Sequence, residues 1–349
     1  MNTSSLVDSL NSYSSNTHPF VFFRLPNTKN IEHYWQDDDT LFHNFDLKNS
    51  GFVFAPHKEN SPIIYIPSIN KTSYFFESFN PPPSYINSKP KSSFLNKKDF
   101  INLVKRAKKK IKETSLEKVV VSRMEKVAQK TIPQDIFLNA LYLYPSAMVY
   151  YFHHPKVGTW IGATPEILIN HQEGILKTMA LAATQNYGIG KSIDWSNKEK
   201  KEQALVCNQV RLDLNKIFPK TFIKESNPIS HRAGNLVHLC SYFKVNTCSD
   251  FDKIKLLNYL HPTPAVGGLP KVSALNFLKE NEGYDRKYYT GYLGPNSKNR
   301  THIFVNLRCM EWFNNEVILY VGAGITEESD PVKEWEETQI KTHTLRQTF

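Results

Sequence analysis

A chain of 349 residues, 40% of them hydrophobic, carries enough apolar material for a large buried core, and ordinary domain sizes allow roughly one to three domains. The start, MNTSSLVDSLNSYSSN, has no basic stretch leading into an apolar run, and no segment approaches the ~18 apolar residues of a membrane span, so neither a secretory leader nor a spanning helix is expected. The net charge of +10 and pI near 9.2 raise nucleic-acid or anionic-surface binding as a first class of function, and the charge has to be located before that class is weighed.

The elements follow in chain order. Short aromatic or β-branched runs at 21–26, 51–56, 62–67 and 73–79, punctuated by proline and polar clusters, predict successive strands of an antiparallel sheet. The proline- and serine-rich stretch 80–94 predicts a connecting loop. Phe100, Leu103, Val104, Ala107 and Ile111 recur at helical spacing, which leaves the lysines of KRAKKKIK (105–112) on a solvated face. The densest charge is therefore a helix exterior without a nucleic-acid motif, and a positive field also suits a small anionic substrate. Strands are predicted at KVVVSRMEKV, AMVYYFHH, TWIGATPEILIN, GILKTMALAAT, HIFVNLRCMEW and EVILYVGAGI, with helices near 134–143, 197–217, 271–280 and 331–346. Strands that follow one another directly predict hairpins, hence a mixed α+β domain rather than a doubly wound sheet. HPTPAVGGLPK (261–271), with three prolines and two adjacent glycines, is too stiff for a regular helix or an interior strand. Cys207, Cys240, Cys248 and Cys309 show neither a C-x-x-C pair nor zinc spacing, which fits a reducing cytoplasm.

Two helices carry the informative carboxylates. Glu199 and Glu202 lie three apart near one helix start, and Glu334, Glu337 and Lys341 share a face of another behind the Asp330-Pro331 start signal. Such pairs suit a hard divalent cation, but Ser196 and Glu199 also fit an S-x-x-E capping box, and the spacing leaves both readings open. Lys118, Glu166 and Arg308 stand alone among apolar strands, where an edge-facing surface charge is the default. Gly322 and Gly324 lack the third glycine of a dinucleotide loop and stand in no βαβ unit.

All these segments occur together and in one order. KVVVSR, GATPEIL, TMALAAT, KEKKEQ, HPTPAVGGLPK, RKYYTG, NLR, GAGI and SDPVKEWEET-x-x-K resemble, block by block, the chorismate-binding enzymes, the family of isochorismate, salicylate, anthranilate and aminodeoxychorismate synthases. The resemblance runs from about residue 97 to the last residue. It implies two large, mostly antiparallel β-sheets packed together with helices outside, as a single structural domain: residues 1–95 form its strand-rich N-terminal part and 96–349 the catalytic region.

The chain is most similar to the isochorismate-forming members, because water-adding enzymes have a lysine where Lys118 stands and PTPAVGG looks like their version of the loop. The implied reaction is Mg²⁺-dependent conversion of chorismate to isochorismate, with the pathway, menaquinone or catechol siderophore, left open. Lys118 would be the general base, which requires an uncharged amine, and Glu166 the general acid, which requires a protonated carboxyl. Glu202 and Glu337 would hold the metal, with Glu199 and Glu334 as outer ligands. Arg308 and Tyr289 would hold the pyruvyl carboxylate, and Ala183, Thr184, Gly322, Gly324, Lys341 and His261 would complete the pocket, although His261 equally suits a purely structural hydrogen bond. The stiff loop would line the pocket, with Ala265, Gly267 and Gly268 keeping bulk off the ligand.

Two positions depart from the family pattern: Ala183 stands where LAGT has glycine, and Gln203 where histidine is frequent. Alanine disfavours positive φ, so the first departure bears on substrate binding. The resemblance further implies a cytoplasmic monomer acting on a small molecule, without nucleic acid or membrane. Salicylate synthesis is the nearest alternative, anthranilate or aminodeoxychorismate synthesis is disfavoured by Lys118, and a non-catalytic binding protein or nucleic-acid binder stands furthest off.

Overall fold

The computed structural model describes the chain outside residues 1–2, 14–17, 43–46, 59–60, 77–91, 95, 129–130, 188–192, 235, 248–250 and 314–315. Most of the loop expected at 80–94, and Cys248, lie outside the described residues. The chain begins with helix α1 (Thr3–Ser12) and strands β1 (Phe20–Arg24), β2 (Asn30–Trp35), β3 (Gly51–Ala55), β4 (Ile64–Pro67), β5 (Asn70–Phe75) and β6 (Ser92–Phe94). Helix α2 (Lys97–Glu113) leads into β7 (Lys118–Ala128), α3 (Pro133–Leu143), β8 (Met148–His154), β9 (Gly158–Thr164), β10 (Ile167–Gln172) and β11 (Ile175–Asn186). Next come α4 (Asn197–Ile217), β12 (Ile223–Glu225), β13 (Ile229–Ala233), β14 (Leu236–Asn246), α5 (Lys253–Leu260), β15 (Gly268–Leu269) and α6 (Lys271–Asn281). Strands β16 (Tyr292–Asn296), β17 (Arg300–Val305), β18 (Cys309–Phe313) and β19 (Glu316–Ile325) precede helix α7 (Pro331–Arg346).

The expected pair of sheets is present. One runs β15-β7-β19-β18-β9-β8-β1-β2-β5, with β6 also on β7; the other runs β12-β14-β11-β10-β17-β16-β3-β4, with β13 also on β14. The described ladders are antiparallel. Period-two alternation explains how one strand serves two cores. In β1, Phe20 and Phe22 join Ile136, Phe137 and Leu141 of α3 on the outer face, while Val21 and Phe23 turn inward to Phe52 and Phe54 of the second sheet. The second sheet is covered by Val206, Val210 and Leu214 of α4 and Leu256, Leu257 and Leu260 of α5. Helices α2 and α6 cover Val119 and Val121 of β7 and Ala323 and Ile325 of β19. The order is thus helix, sheet, sheet, helix, the layering that two-faced burial requires.

Two segments read as single strands are each divided between the sheets. TWIGATPEILIN forms β9 in the first sheet and β10 in the second, broken at Pro165-Glu166, because proline cannot donate to a ladder. HIFVNLRCMEW forms β17 and β18 in opposite sheets, so Arg308 does not close a strand; it lies in the crossover with φ 47°. Helices α1 and α5 and strands β2, β12, β13, β14 and β16 had no counterpart in the sequence reading, and β6 corrects the end of the loop expected at 80–94, since Ser92–Phe94 pair with β7. Both crossovers therefore deliver a polar residue to the space between the sheets.

The stiff segment 261–271 is bolted along β7. Leu269 pairs with Lys118 and Gly268 with Val119; Val120 N–H donates to Gly267 O (2.9 Å) and Glu117 N–H to Leu269 O (2.8 Å). Gly268 has φ +139°, and a Cβ there would stand 2.2 Å from the Lys118 carbonyl oxygen. Its role is this backbone approach rather than clearance for a ligand, which corrects the expectation for Gly268; Gly267 is not among the residues that line the cavity described next, whereas Ala265 is.

Candidate active site

A cavity of about 390 Å³ opens between the two sheets beneath α4 and α7. Lys118 and Val120 alternate with the outward Val119 and Val121, so β7 turns a lysine into the interior with 1% of it exposed. In β19, Gly322 and Gly324 share the inward face, between the outward Ala323 and Ile325. A Cβ on Gly324 would lie 2.8 Å from Glu202 Oε1 and 3.2 Å from Lys118 Cε, so this glycine makes room for the Lys118–Glu202 pair, whose Nζ–Oε1 distance is 2.8 Å.

Glu166 sits at the β9–β10 crossover with 2% of its surface exposed. Burial pushes its carboxyl up to about 7, against smaller opposing effects of the Thr263 hydrogen bond and the Lys118 charge. Thr263 Oγ1 donates to Glu166 Oε1 at 3.0 Å. Near pH 7 the site thus holds a carboxyl poised between acid and carboxylate, with a lysine on the same wall.

The side that carries Arg308 and His238 is built on a bulge. The β11–β14 register shifts between Ala182 and Gln185, which places Ala183 and Thr184 opposite one residue, His238. Ala183 takes φ 53°, so the position where the family pattern has glycine does adopt the left-handed conformation. His238 bridges from the bulge to the cation: Nδ1 lies 3.0 Å from Ala183 O and 3.2 Å from Thr184 Oγ1, and Nε2 lies 2.6 Å from Arg308 Nη2. Burial, then the charges of Arg308 and Lys341, hold the imidazole well below its usual value, so it is neutral, donating through Nδ1 and accepting from Arg308. Arg308 also donates to Ala233 O (2.7 Å), and burial presses its guanidinium down to about 10. The Tyr289 ring stacks on Tyr320 at 5.5 Å, and burial raises its phenol, leaving it a neutral donor. Replacing Ala183 by glycine relieves the left-handed strain but frees the unfolded chain, a net gain of about 0.5–1 kcal/mol. Denaturant unfolding of Ala183→Gly is expected to report that gain; a less stable variant would mean that the alanine is unstrained.

The acidic side is lysine-rich. Glu337 pairs with Lys341 (2.6 Å), whose Nζ also donates to Gly322 O (3.0 Å), and Glu334 pairs with Lys198 (3.1 Å). Burial works against the Lys198 charge, but Glu334, then Glu202 and Glu337, hold its ammonium above the ordinary lysine value. Burial and Glu337 raise Glu334. Asp330 caps α7 by accepting from the N–H groups of Val332 and Lys333, as its start signal predicts. The capping alternative for Glu199 is realised: Oε2 accepts from Ser196 N–H (2.7 Å) and Oγ (2.8 Å), and Oε1 from Gln185 Nε2 (2.9 Å). Both Glu199 oxygens thus carry hydrogen bonds at the helix start. No group of three or more His, Cys, Asp or Glu among the described residues is gathered closely enough to hold a metal ion. Glu202 and Glu337 nevertheless put hard oxygen donors on the cavity wall.

Residues 59–349 match the family described as chorismate binding enzyme. The chain belongs to that family. Anthranilate synthase component 1 of Aquifex aeolicus (strain VF5) is 28% identical over 263 residues, 72% of this chain and 53% of that protein. Isochorismate synthase EntC of Escherichia coli (strain K12) is 28% identical over 262 residues, 72% of this chain and 66% of that protein. The chain thus spans less than two thirds of the length of these curated relatives. The solved structure of MenF, the menaquinone-specific isochorismate synthase from Escherichia coli, superposes with a TM-score of 0.81 at 22% identity, over 98% of this chain and 91% of that one.

Against the family pattern, the cavity brings together Lys118, Glu166, Ala183, Thr184, Glu199, Glu202, Tyr289, Arg308, Gly322, Gly324, Glu334, Glu337 and Lys341. His261 is not among the lining residues. It caps the end of α5, its Nε2 lies 2.9 Å from Thr290 O, and burial drops it to about 4, so the structural hydrogen bond is the role the geometry carries. Gln203 is also turned into the core, donating to Ala180 O (3.0 Å). Lys198, His238 and Thr263 escaped the sequence reading. Lys198 precedes a glutamate read as a cap, His238 acts across a bulge 55 residues from Ala183, and Thr263 stands between two prolines.

Proposed function

We propose that the protein is an isochorismate synthase, converting chorismate to isochorismate with Mg²⁺ as cofactor. The observation that carries this reading is the presence of Lys118 and Glu166, both buried, on one cavity that Arg308 and Tyr289 also line. A base for water and a protonated acid for a departing hydroxyl are what an exchange of C4–OH for C2–OH requires. In this reading Arg308 and Tyr289 hold the pyruvyl carboxylate, an arginine fork suiting that geometry. In its uncharged form, reached by giving a proton to solvent, Lys118 takes a proton from water as its oxygen bonds to C2, the ring double bonds shift, and Glu166 gives its proton to the C4 hydroxyl, which leaves as water. One water is consumed and one released, so substrate and product are isomers. Exchange with solvent resets both side chains.

Donor chemistry supports Mg²⁺ here. The ion takes one or two carboxylates and fills its remaining positions with water and substrate oxygens, so Glu202 and Glu337 suffice without a closed cage. The Lys198 ammonium, held by Glu334 with Glu202 and Glu337 close enough to act on it, marks a place where positive charge is favoured. When bound, Mg²⁺ would supply positive charge to the ring carboxylate. The carboxylate that would hold it, Glu202, also fixes the position of Lys118.

Incubation with chorismate and Mg²⁺ tests the reading by product identity: isochorismate is expected, and salicylate with pyruvate would make the protein a salicylate synthase instead. Chelation is expected to abolish turnover. Glu202→Gln should weaken metal-dependent chorismate binding by about tenfold or more while leaving the circular dichroism spectrum unchanged. Full turnover in a chelator would remove the metal from the reading.

A further inference from the structure

The loop 261–271 does more than border the cavity, because one of its side chains touches the acid. Thr263 is buried, and its hydroxyl donates to Glu166 Oε1 at 3.0 Å; it is the one side-chain donor to that carboxyl among the described hydrogen bonds. Thr263 is itself immobilised. Its carbonyl accepts from Val266 N–H (3.0 Å) and Gly267 N–H (2.9 Å), Gly267 O is bonded to β7, and Arg286 Nη1 donates to Val266 O (2.9 Å). A carboxylic acid has one proton and two oxygens. The oxygen that accepts a fixed hydroxyl hydrogen bond is the carbonyl-like one, and the proton is directed to the other.

We propose that Thr263 is a positioning residue for Glu166: by donating to Oε1 it assigns the acid's proton to Oε2 and holds the carboxyl plane for delivery into the cavity. The inference rests on the acid role given to Glu166 above. The other titratable groups facing Glu166 are Lys118 from β7, Tyr289 from the turn before β16 and Cys240 from β14. Lys118 favours the carboxylate, as does the Thr263 hydrogen bond, so removing the hydroxyl raises the titration midpoint of Glu166.

Infrared titration of the protonated carboxyl band, assigned to Glu166 by its absence from Glu166→Gln, tests this without turnover. Thr263→Val, nearly the same shape, is expected to move the midpoint up by roughly half to one pH unit and the C=O stretch to higher frequency. In turnover, Thr263→Val should lose ~10-fold or more in kcat with little change in KM, and Thr263→Ser should restore both readouts. An unchanged midpoint and band in Thr263→Val, or an unchanged kcat, would overturn the proposal. If the band shifts as expected while the parent protein makes no isochorismate, the Thr263–Glu166 pairing stands and the reaction proposed above falls.

Discussion

Glu166→Gln is expected to lower isochorismate formation by ~10²–10⁴-fold, the usual effect of removing a placed proton-transfer group, while making the folded protein more stable at pH 8. The two effects have one cause. Burial raises the Glu166 carboxyl from 4.5 to about 7 in the folded state. A raised folded-state value means that the group's contribution is fully present below the unfolded value and is lost as pH rises through the folded one. The parent therefore pays for ionising Glu166 progressively between about 4.5 and 7, reaching on the order of 3 kcal/mol above that range. Glutamine does not ionise, so the stability difference should be near zero below pH 4.5 and full by about pH 8. Parental activity should fall as pH rises through about 7, because the acid loses its proton. Lys118→Ala should lose rate on the same scale. Near-parental isochorismate formation by Lys118→Ala would show that another group activates the water; equal stability of parent and Glu166→Gln at pH 8 would show that Glu166 is not strained by burial.

Arg286→Met is expected to cost about 3–5 kcal/mol in folding, because it leaves a buried carboxylate without its cation. Arg286 and Glu282 are 1% and 2% exposed and meet through two bonds of 2.7 Å, Nε to Oε2 and Nη2 to Oε1. The guanidinium also donates to Val120 O (2.6 Å) and Val266 O (2.9 Å), and Glu282 accepts from Ser122 N–H and Oγ (both 2.7 Å). This one fork ties β7, the 261–271 loop and the end of α6 together, so its loss should loosen Lys118 and Thr263 as well as the fold. Arg286→Lys keeps the charge but not the fork and should fall between parent and Arg286→Met. Urea unfolding reads the series; a loss under about 1 kcal/mol in Arg286→Met would mean that Glu282 finds another partner or a proton.

How much of the site was legible depends on the distance over which each residue acts. Asp330, Pro331, Ser196 and Glu199 are read within four residues, and both helix starts form as their spacing predicts. Lys118 and Glu166 have no local signal, since a lone charge in an apolar run looks like an edge residue; only the ordered set of motifs singled them out. Arg308 was found the same way, but its crossover position was not. The His238 bridge needs a bulge on β11 and a neighbouring strand in register, and neither is written in a window of residues.

The helices that carry the carboxylates and the stiffness of 261–271 were legible in the sequence. These follow from local periodicity, capping and proline chemistry, which act over a few residues. Tertiary structure alone decided which face of β7 meets a cavity rather than a core, that Pro165-Glu166 and Leu307-Arg308 fall where the chain changes sheets, and that Glu199 caps a helix while Glu202 meets Lys118. It also decided that Ala183 is left-handed and that Thr263 reaches Glu166. The physical reason is that burial, charge pairing and strain depend on groups brought together from opposite ends of the chain, and a one-residue slip in strand register would reverse which side chains face the site.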